Sequence, residues 1–248
     1  SLEVQAVGWG AFLFADELDL LECRLVELES IPDLKHVLVE ATTTFQGRPK
    51  PLHYAENRGR FERWSDRIVH VVAELPDTDD PWQREAAQRE CVRVGLAAAE
   101  QADIVMFGDV DEIPSEVVAR NLRPAGFVAF EMAFHPFCVD WAHPARWHGT
   151  VAARFGIIGS FQEMRERRNT AAVLRGAGWH FTWVGCDPAV KLHSFSHTEI
   201  IERAEAFGLD RFGSEGVHVD GQRLIPVSGH PLPKWVAAGN APRSWWRP

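Results

Sequence analysis

The first half of the chain alternates short apolar runs with amphipathic stretches. The runs have the length and composition of buried strands and lie at residues 10–14, 35–41, 67–75 and 103–107. After the first run, leucines recur at helical spacing, at Leu18, Leu21, Leu25 and Leu28. Strand and helix signals that alternate in units of roughly 30 residues are typical of right-handed crossovers. The pattern predicts an α/β fold, with a mostly parallel sheet and helices on both of its faces.

Local signals indicate where several helices begin. Asp80 followed by Pro81 is typical of a helix start and predicts one long helix over residues 79–102. Asp16, directly after the first apolar run, is either a helix cap or a ligand-binding acid. From about residue 127 onward the pattern changes to aromatic-rich strands mixed with short helices. We interpret the chain as a single domain, residues 1–248, with two halves at about 1–115 and 116–248.

The composition narrows the classes of function. The formal net charge is −9 and the pI is near 5.7, which argues against a broad electrostatic surface for nucleic acid or anionic lipid. The 4 cysteines are scattered without a CxxC pair and are expected to be reduced thiols. All apolar runs stay well short of the roughly 20 residues that cross a bilayer. We therefore expect a protein without a membrane span, located in the cytoplasm.

The stretch "DIVMFGDVDEIPSE" (103–116) places three acids, Asp109, Asp111 and Glu112, directly after a predicted buried strand. In extended backbone the side chains of Asp109 and Asp111 share one face, because the residues are two apart. Two carboxylates that converge in a medium of low dielectric repel each other unless a cation lies between them. The cluster predicts a Mg²⁺ or Mn²⁺ site, with plain surface charge as the alternative. Pro114 is predicted to open the following helix.

The carboxyl edge of the predicted sheet collects further acids. Asp16 and Glu40 also follow predicted strands, and ligands of parallel sheets bind beyond this edge. A divalent ion held there suits a sugar-nucleotide transfer, in which it stabilises the departing nucleotide. It also suits a phosphatase of the haloacid-dehalogenase type, whose first Asp is the nucleophile. That motif normally follows the first strand, whereas this one follows the fourth, so we rank the phosphatase second.

Several stretches, in this order along the chain, resemble glycosyltransferase family 17, a family of β-1,4-N-acetylglucosaminyltransferases. They are "DELDLLECRLVEL" (16–28), "VLVEATTTFQGRPKPL" (37–52), "GDVDEIP" (108–114), "GAGWHFTWVG" (176–185) and "KLHSFSH" (191–197). The resemblance implies a GT-A fold and an inverting, metal-assisted transfer from a UDP-sugar to a glycan or glycoconjugate acceptor. The donor in characterised relatives is UDP-N-acetylglucosamine. A non-catalytic carbohydrate-binding protein on the same scaffold is a third hypothesis, against which the retained motifs speak.

Candidate roles follow for individual residues. Asp111 is the first candidate metal ligand, Asp109 binds the metal through water or contacts the ribose, and His197 is a later ligand. Donor contacts through the nucleotide or its phosphates are predicted for Asp16, Glu40, Lys50, Arg89, Asp109 and Lys191. The acceptor hydroxyl needs a base, for which we predict Asp187 first and His180 second, with Glu163 more remote.

Some of these assignments have a structural alternative. Arg84 and Arg89 lie five apart on the predicted helix, so at most one is expected to point inward, and Arg89 has an i, i+4 partner in Glu85. Glu40 is either a nucleotide contact or a solvated loop acid. Four tryptophans are candidates either for a sugar-stacking platform or for the core, namely Trp141, Trp147, Trp179 and Trp183.

Overall fold

The computed structural model describes residues 8–186, 191, 194, 196 and 215–247. The strands are β1 (Gly8–Phe14), β2 (Lys35–Ala41), β3 (Ile68–Ala73), β4 (Ile104–Asp109), β5 (Glu112–Pro114), β6 (Val128–Phe134), β7 (Trp141–Ala142), β8 (Trp147–Arg154), β9 (Ala172–Leu174), β10 (Gly178–His180) and β11 (Ile225–Pro226). The helices are α1 (Leu18–Leu28), α2 (His53–Glu56), α3 (Pro81–Glu90), α4 (Val92–Gly95), α5 (Glu116–Arg120), α6 (Phe161–Glu166) and α7 (Lys234–Ala237). Within the described ranges, no helix has the length and apolar character needed to cross a membrane.

Four parallel strands form one end of the main sheet, in the order β3-β2-β1-β4, with β3 at the edge. Their side chains are buried against helices on both faces. Val39 packs in one cluster with Val92 of α4, whereas Leu38 packs on the other face with Leu21 and Leu25 of α1. The prediction of an α/β fold with helices on both faces is confirmed, because the apolar runs lie in the sheet and the leucine repeat covers it.

Strands from the second half of the chain extend the sheet beyond β4. β8 pairs antiparallel with β4 and with β6, and β6 pairs parallel with β9 and β10. β10 then pairs antiparallel with β5, which sets His180 opposite Glu112. One mostly parallel sheet therefore joins the two predicted halves, and it brings the aromatic-rich segment to the acidic cluster. β7 and β11 form a separate two-stranded sheet.

The long helix predicted for residues 79–102 is shorter and interrupted. Asp80 caps α3 as predicted, because its carboxylate accepts a hydrogen bond from the Trp82 amide at 2.9 Å. However, α3 ends at Glu90, α4 ends at Gly95, and a turn follows at residues 96–98. Gly95 lies so close to β2 that a Cβ atom there would overlap the side chain of Val37. This packing on the sheet overrides the helix propensity of the alanines that follow.

Two other predicted helix starts are wrong. Asp16 is exposed and does not cap α1, which begins at Leu18 after Glu17. Instead, Oε2 of Glu17 accepts hydrogen bonds from the amides of Ala15 and Asp16, each at 3.1 Å. Pro114 does not open a helix but ends β5, where pairing with β10 keeps it extended. The helix after it begins at Glu116.

Candidate active site

The acidic cluster lies at the carboxyl end of β4, in a tight turn between β4 and β5. Asp109 is the last residue of β4, and Val110 and Asp111 form the turn. The turn is fixed from both sides, since the Val110 amide donates to Leu13 O at 3.1 Å and the Phe181 amide donates to Asp111 O at 2.9 Å. The expectation that Asp109 and Asp111 share one face is wrong, because the backbone between them turns instead of staying extended. The two carboxylates have different partners.

Glu112, the third acid, is completely buried and is the centre of a dense hydrogen-bond network. Its oxygens accept two hydrogen bonds from Arg165, at 2.8 and 2.7 Å, and one from Nε1 of Trp147 at 2.8 Å. Burial acts to raise the pKa of Glu112, but Arg165 holds that pKa at about 2. Glu112 is therefore an ionised carboxylate inside the protein, and it fixes Arg165 under the turn.

Two glycines make room for this network. A Cβ atom on Gly108 would overlap Oε2 of Glu112 and lie 2.7 Å from Oγ1 of Thr150. A Cβ atom on Gly149 would lie 2.8 Å from Cδ of Glu112. Both glycines therefore allow the buried carboxylate to approach the backbone of β4 and β8 closely.

Asp109 is joined to the same arginine. Nη2 of Arg165 lies 2.7 Å from Oδ2 of Asp109, and the guanidinium is almost fully buried. Arg165 binds Oδ2, so a divalent ion shared with Asp111 would have to use Oδ1 of Asp109. The metal-ligand role of Asp109 stays a prediction, and the described geometry favours a role in positioning the turn.

Asp111 belongs to a separate cluster, the charge group, which consists of Asp111, Lys191, Glu17 and His180. Nζ of Lys191 is 3.5 Å from Oδ2 of Asp111 and 3.7 Å from Oε1 of Glu17. Nε2 of His180 lies 3.6 Å from Oδ1 of Asp111. Burial works to raise the pKa of Asp111, but His180 and Lys191 hold it well below its ordinary value. Reciprocally, Asp111 and Glu17 raise the pKa of Lys191 against the effect of burial. Asp111 and Lys191 are thus a charged pair at the sheet edge.

The His180 ring is held by aromatic packing. It stacks on Phe134 with centroids 5.1 Å apart and on Trp147 with centroids 4.4 Å apart. Its Nδ1 atom is buried without a hydrogen-bond partner. The nitrogen beside Asp111 is the other one, Nε2, and a carboxylate with an adjacent imidazole nitrogen forms a donor set that suits Mn²⁺. Asp111 and His180 therefore fit a divalent ion, provided that the ammonium of Lys191 moves aside.

Glu40 and Lys50, two other residues predicted to bind the donor, form polar contacts within the protein. Glu40 is fully buried, and its oxygens accept hydrogen bonds from the Tyr54 amide and from Nε2 of His70, each at 3.0 Å. Lys50 donates to Ala15 O at 3.1 Å and lies 3.7 Å from Glu40. Glu40 is therefore not a solvated loop acid, and its burial keeps it from a nucleotide unless the residues that cover it move.

Arg84 and Arg89 are both buried, so the expectation that only one points inward is wrong. Arg89 forms the ion pair with Glu85 that was the structural alternative, and it also donates to Oε1 of Gln162 at 2.7 Å. Arg84 donates to the carbonyl oxygens of Phe45, at 2.9 Å, and Thr78. Both faces of α3 are covered because the loop after β2 lies on one side and α6 on the other.

The remaining predicted residues divide into three groups. Asp16 is exposed at the end of β1, next to the Glu17 side of the charge group. Asp187 and His197 lie outside the described residues, and their roles stay predictions. Among the tryptophans, Trp183 is buried and Nε1 of Trp179 donates to Pro231 O at 2.8 Å. Trp147 contacts His180 and the guanidinium of Arg168, whose Cζ lies 5.0 Å from the ring centroid, so it forms part of the site wall.

Sequence reasoning missed Arg165 and Glu17. Arg165 lies in "SFQEMRERR", where three arginines follow one another closely and only the three-dimensional packing of α6 selects the first. Glu17 follows Asp16 directly after the same predicted strand, and the sequence gives no signal that distinguishes these two neighbouring acids.

Comparison with curated protein sequences gives no match. Among solved structures, the chain is similar to the mannosyltransferase PcManGT from Pyrobaculum calidifontis in complex with GDP-Man and Mn²⁺, with 14% identity and a TM-score of 0.44, over 83% of this chain and 65% of that one. It is also similar to the apo-form glycosyltransferase GlyE of Streptococcus pneumoniae TIGR4 (10% identity, TM-score 0.36, 68% and 45% coverage). A third similar structure is S. aureus TarS (12% identity, TM-score 0.40, 86% and 46% coverage). The chain thus spans less than two thirds of the length of these three proteins.

The family assignment comes from the sequence. The family model for glycosyltransferase family 17 matches residues 4–221, which is most of the chain. This is the family that the ordered segments resemble, and the curled, mostly parallel sheet agrees with the GT-A fold that the resemblance implied. The chain therefore belongs to glycosyltransferase family 17.

Proposed function

We propose that the protein transfers N-acetylglucosamine from UDP-N-acetylglucosamine to a hydroxyl group of a carbohydrate acceptor, with inversion at the anomeric carbon. Family membership supports the class of reaction, and the resemblance of five ordered segments supports the donor. The observation that carries the proposal is the charge group of Asp111, Lys191, Glu17 and His180. It lies where the parallel strands end, which is where sheets of this type bind their ligands.

Asp111 and His180 are the described residues that would hold a divalent ion, Mn²⁺ or Mg²⁺. The bound ion would neutralise the negative charge that develops on the departing diphosphate. Lys191 contributes a second cation at the same place, because its ammonium already lies 3.5 Å from Asp111. When the donor binds, Lys191 would exchange an ion-pair contact for charge-assisted hydrogen bonds to phosphate oxygens.

Arg165 keeps the site in shape without touching the donor. It is fixed by two hydrogen bonds to Glu112 and holds Asp109 at the end of β4. The position of Asp111 depends on this turn, since Asp111 follows Asp109 by two residues. A buried, multiply bonded arginine of this kind provides the rigid support that a preorganised site requires.

An inverting transfer needs a base on the face of the sugar opposite the leaving nucleotide. His180 lies 3.6 Å from Asp111, on the side where the cation and the diphosphate would bind. This placement supports a ligand role for His180 and disfavours its second-choice role as the base. Asp187, the first choice, remains a proposal.

The proposal is tested by incubating the protein with a panel of nucleotide sugars and Mn²⁺, with and without simple glycan acceptors, and measuring nucleotide release. UDP-N-acetylglucosamine is expected to give the highest release, and the anomeric configuration of the product, read by NMR, is expected to be inverted. Asp111→Ala should abolish release, whereas Asp66→Ala, at an exposed position outside the site, should not.

Two results would contradict this function. Glycan binding without nucleotide release from any donor would favour the non-catalytic carbohydrate-binding protein. Release from a GDP-sugar or dTDP-sugar alone would retain the transferase and refute the donor. Thermal denaturation with donor and Mn²⁺ provides an independent measure, because a ligand that binds only the native state raises the melting temperature.

A further inference from the structure

A second cluster of polar side chains lies next to Phe134 and consists of His143, His218 and Asp220. Nε2 of His143 lies 3.0 Å from Oδ2 of Asp220, and Nδ1 of His218 lies 3.0 Å from Oδ1 of the same carboxylate. The side chains of His143 and His218 are 6% and 11% exposed, whereas that of Asp220 is 44% exposed. The cluster therefore combines two buried imidazole rings with a carboxylate that opens to solvent.

Main-chain hydrogen bonds hold these residues in place. His143 follows β7, which pairs with β11, and its amide donates to Phe134 O at 2.8 Å. His218 and Asp220 lie on a tight hairpin, in which the His218 amide donates to Gln222 O at 2.9 Å. The Gln222 amide in turn donates to Oδ1 of Asp220 at 2.9 Å and fixes the orientation of the carboxylate. The backbone thus supports the three side chains, as a preformed binding site requires.

The contact between His218 and Asp220 is close but is not a hydrogen bond. Nδ1 of His218 is buried and has no hydrogen-bond partner, although Oδ1 of Asp220 lies only 3.0 Å away. The distance would suit an N–H···O bond, so the direction between the two atoms does not. A buried polar atom without a partner needs an explanation, such as a bound water or ion. A nitrogen lone pair and a carboxylate oxygen that converge with no proton between them are arranged like the ligands of a cation.

His143 completes the set through Nε2. Without a cation this nitrogen carries the proton and donates it to Asp220, because the Ala145 amide donates to Nδ1 at 3.0 Å. A metal on Nε2 would move the ring proton to Nδ1, and the hydrogen bond from Ala145 would then open. Ala145 is exposed, so its amide can turn to water. The opening of this bond is a specific signature of metal binding.

We propose that His143, His218 and Asp220 bind a Zn²⁺ ion. Their ligand atoms, two imidazole nitrogens and one carboxylate oxygen, all lie within 4.8 Å of one another. Around a tetrahedral Zn²⁺ with bonds of about 2.0–2.1 Å, neighbouring ligand atoms are roughly 3.3 Å apart, so only a small contraction is needed. Zn²⁺ is preferred over Mn²⁺ because a site rich in imidazole binds it more tightly. The fourth position belongs to water on the exposed side of Asp220.

The ion would join two segments that are far apart in the sequence and hold them against Phe134. The ring of Phe134 contacts those of His143 and His218, with centroids 4.9 and 5.3 Å apart. On its other contact it stacks on His180 of the charge group, with centroids 5.1 Å apart. The Zn²⁺ site is separate from the cation site proposed at Asp111 and His180. It stands whether or not the protein transfers N-acetylglucosamine, and its role is to stabilise the aromatic packing beside the candidate active site.

The first part of the test measures Zn²⁺ binding to the full chain after its metals have been removed with EDTA. Calorimetric titration of the Asp111→Ala protein isolates the cluster, because a ligand of the other cation site is gone. We expect one equivalent of Zn²⁺ to bind, and we expect Asp220→Ala in the same background to weaken binding at least about 10-fold. His53→Gln, on α2, is the matched control and should bind like its parent. No Zn²⁺ binding at micromolar concentration, or equal binding after Asp220→Ala, would overturn the site.

The second part identifies the ligand atoms in the wild-type protein, so it does not depend on the folding of a variant. In ¹H–¹⁵N NMR spectra of uniformly ¹⁵N-labelled protein, stoichiometric Zn²⁺ should shift Nε2 of His143, Nδ1 of His218 and the amide of Ala145. The proton of His143 should appear on Nδ1. Unchanged signals of both rings, or an ion bound to other histidines, would refute the proposal. Absence of nucleotide release from every donor would refute the proposed function and leave these measurements unaffected.

Discussion

Arg165 binds Asp109 through Nη2 at 2.7 Å, so the first aspartate of the acidic turn is neutralised by a buried arginine. This pair explains why an acidic chain tolerates three carboxylates within four residues. Glu112 and Asp109 share one guanidinium, and Asp111 has its own cation in Lys191. Two cations, Arg165 and Lys191, thus offset part of the charge of these three carboxylates before any ligand binds.

Removing Arg165 should destabilise the protein strongly. Arg165→Met leaves Glu112 buried without its main partner, and breaking a buried pair in this way costs about 3–5 kcal/mol. We expect a loss of that size in the free energy of unfolding measured by urea denaturation. The double variant Arg165→Met/Glu112→Gln is the control and should recover part of the loss, because the uncompensated charge is gone. A loss below about 1 kcal/mol in the single variant would show that Glu112 does not depend on Arg165.

Glu112 should also make stability depend on pH. Its pKa is lowered to about 2 from 4.5, against burial and mainly by Arg165. A carboxyl group with a lowered pKa in the native state stabilises that state above the pKa of the unfolded chain. This contribution, on the order of 3 kcal/mol, should be lost as pH falls from about 4.5 towards 2. In Glu112→Gln the free energy of unfolding should vary less over this window than in the wild type, and equal slopes would contradict the assignment.

The sequence predicted the parallel half of the fold well because its signals are local. β2 spans Lys35–Ala41, the predicted run, and Asp80 caps α3 as expected, since a buried strand and a helix cap each depend on a few neighbouring residues. The break at Gly95 was not predictable, because it depends on contact with Val37, which lies far away in the sequence.

The sequence predicted where the candidate site lies but not which residues bind its acids. The position of Asp109 and Asp111 at the sheet edge follows from the strand before them, and it is confirmed. Their partners come from residues 165, 180 and 191, and which of several arginines, histidines and lysines reaches the turn is decided by tertiary packing. The prediction that Asp109 and Asp111 share one face was also wrong, because it assumed an extended backbone and the chain turns there.

Gly108→Ala should distort the buried network under the candidate site. The new methyl group would overlap Oε2 of Glu112, so the carboxylate, Arg165 and the end of β4 must shift together. We expect a loss of about 1–3 kcal/mol in the free energy of unfolding, together with a marked fall in nucleotide release. Gly126→Ala is the matched control, because a methyl group there meets nothing within 4 Å, and its stability should stay within about 0.5 kcal/mol of the wild type. Equal stability of the two variants would refute the close packing of Glu112 against β4.

Lys191→Met should weaken nucleotide binding in a way that depends on the metal. The ammonium lies between Asp111 and Glu17, so without it both carboxylates repel an incoming diphosphate. A charge-assisted hydrogen bond contributes about 1.5–3 kcal/mol, so we expect the Kd for UDP measured by calorimetry without Mn²⁺ to rise about 10-fold or more. With saturating Mn²⁺ the loss should be smaller, because the ion supplies the missing positive charge beside Asp111. Lys35→Met, on the far end of β2, controls for the change in net charge. An equal loss with and without Mn²⁺ would show that the lysine and the ion do not act at the same place.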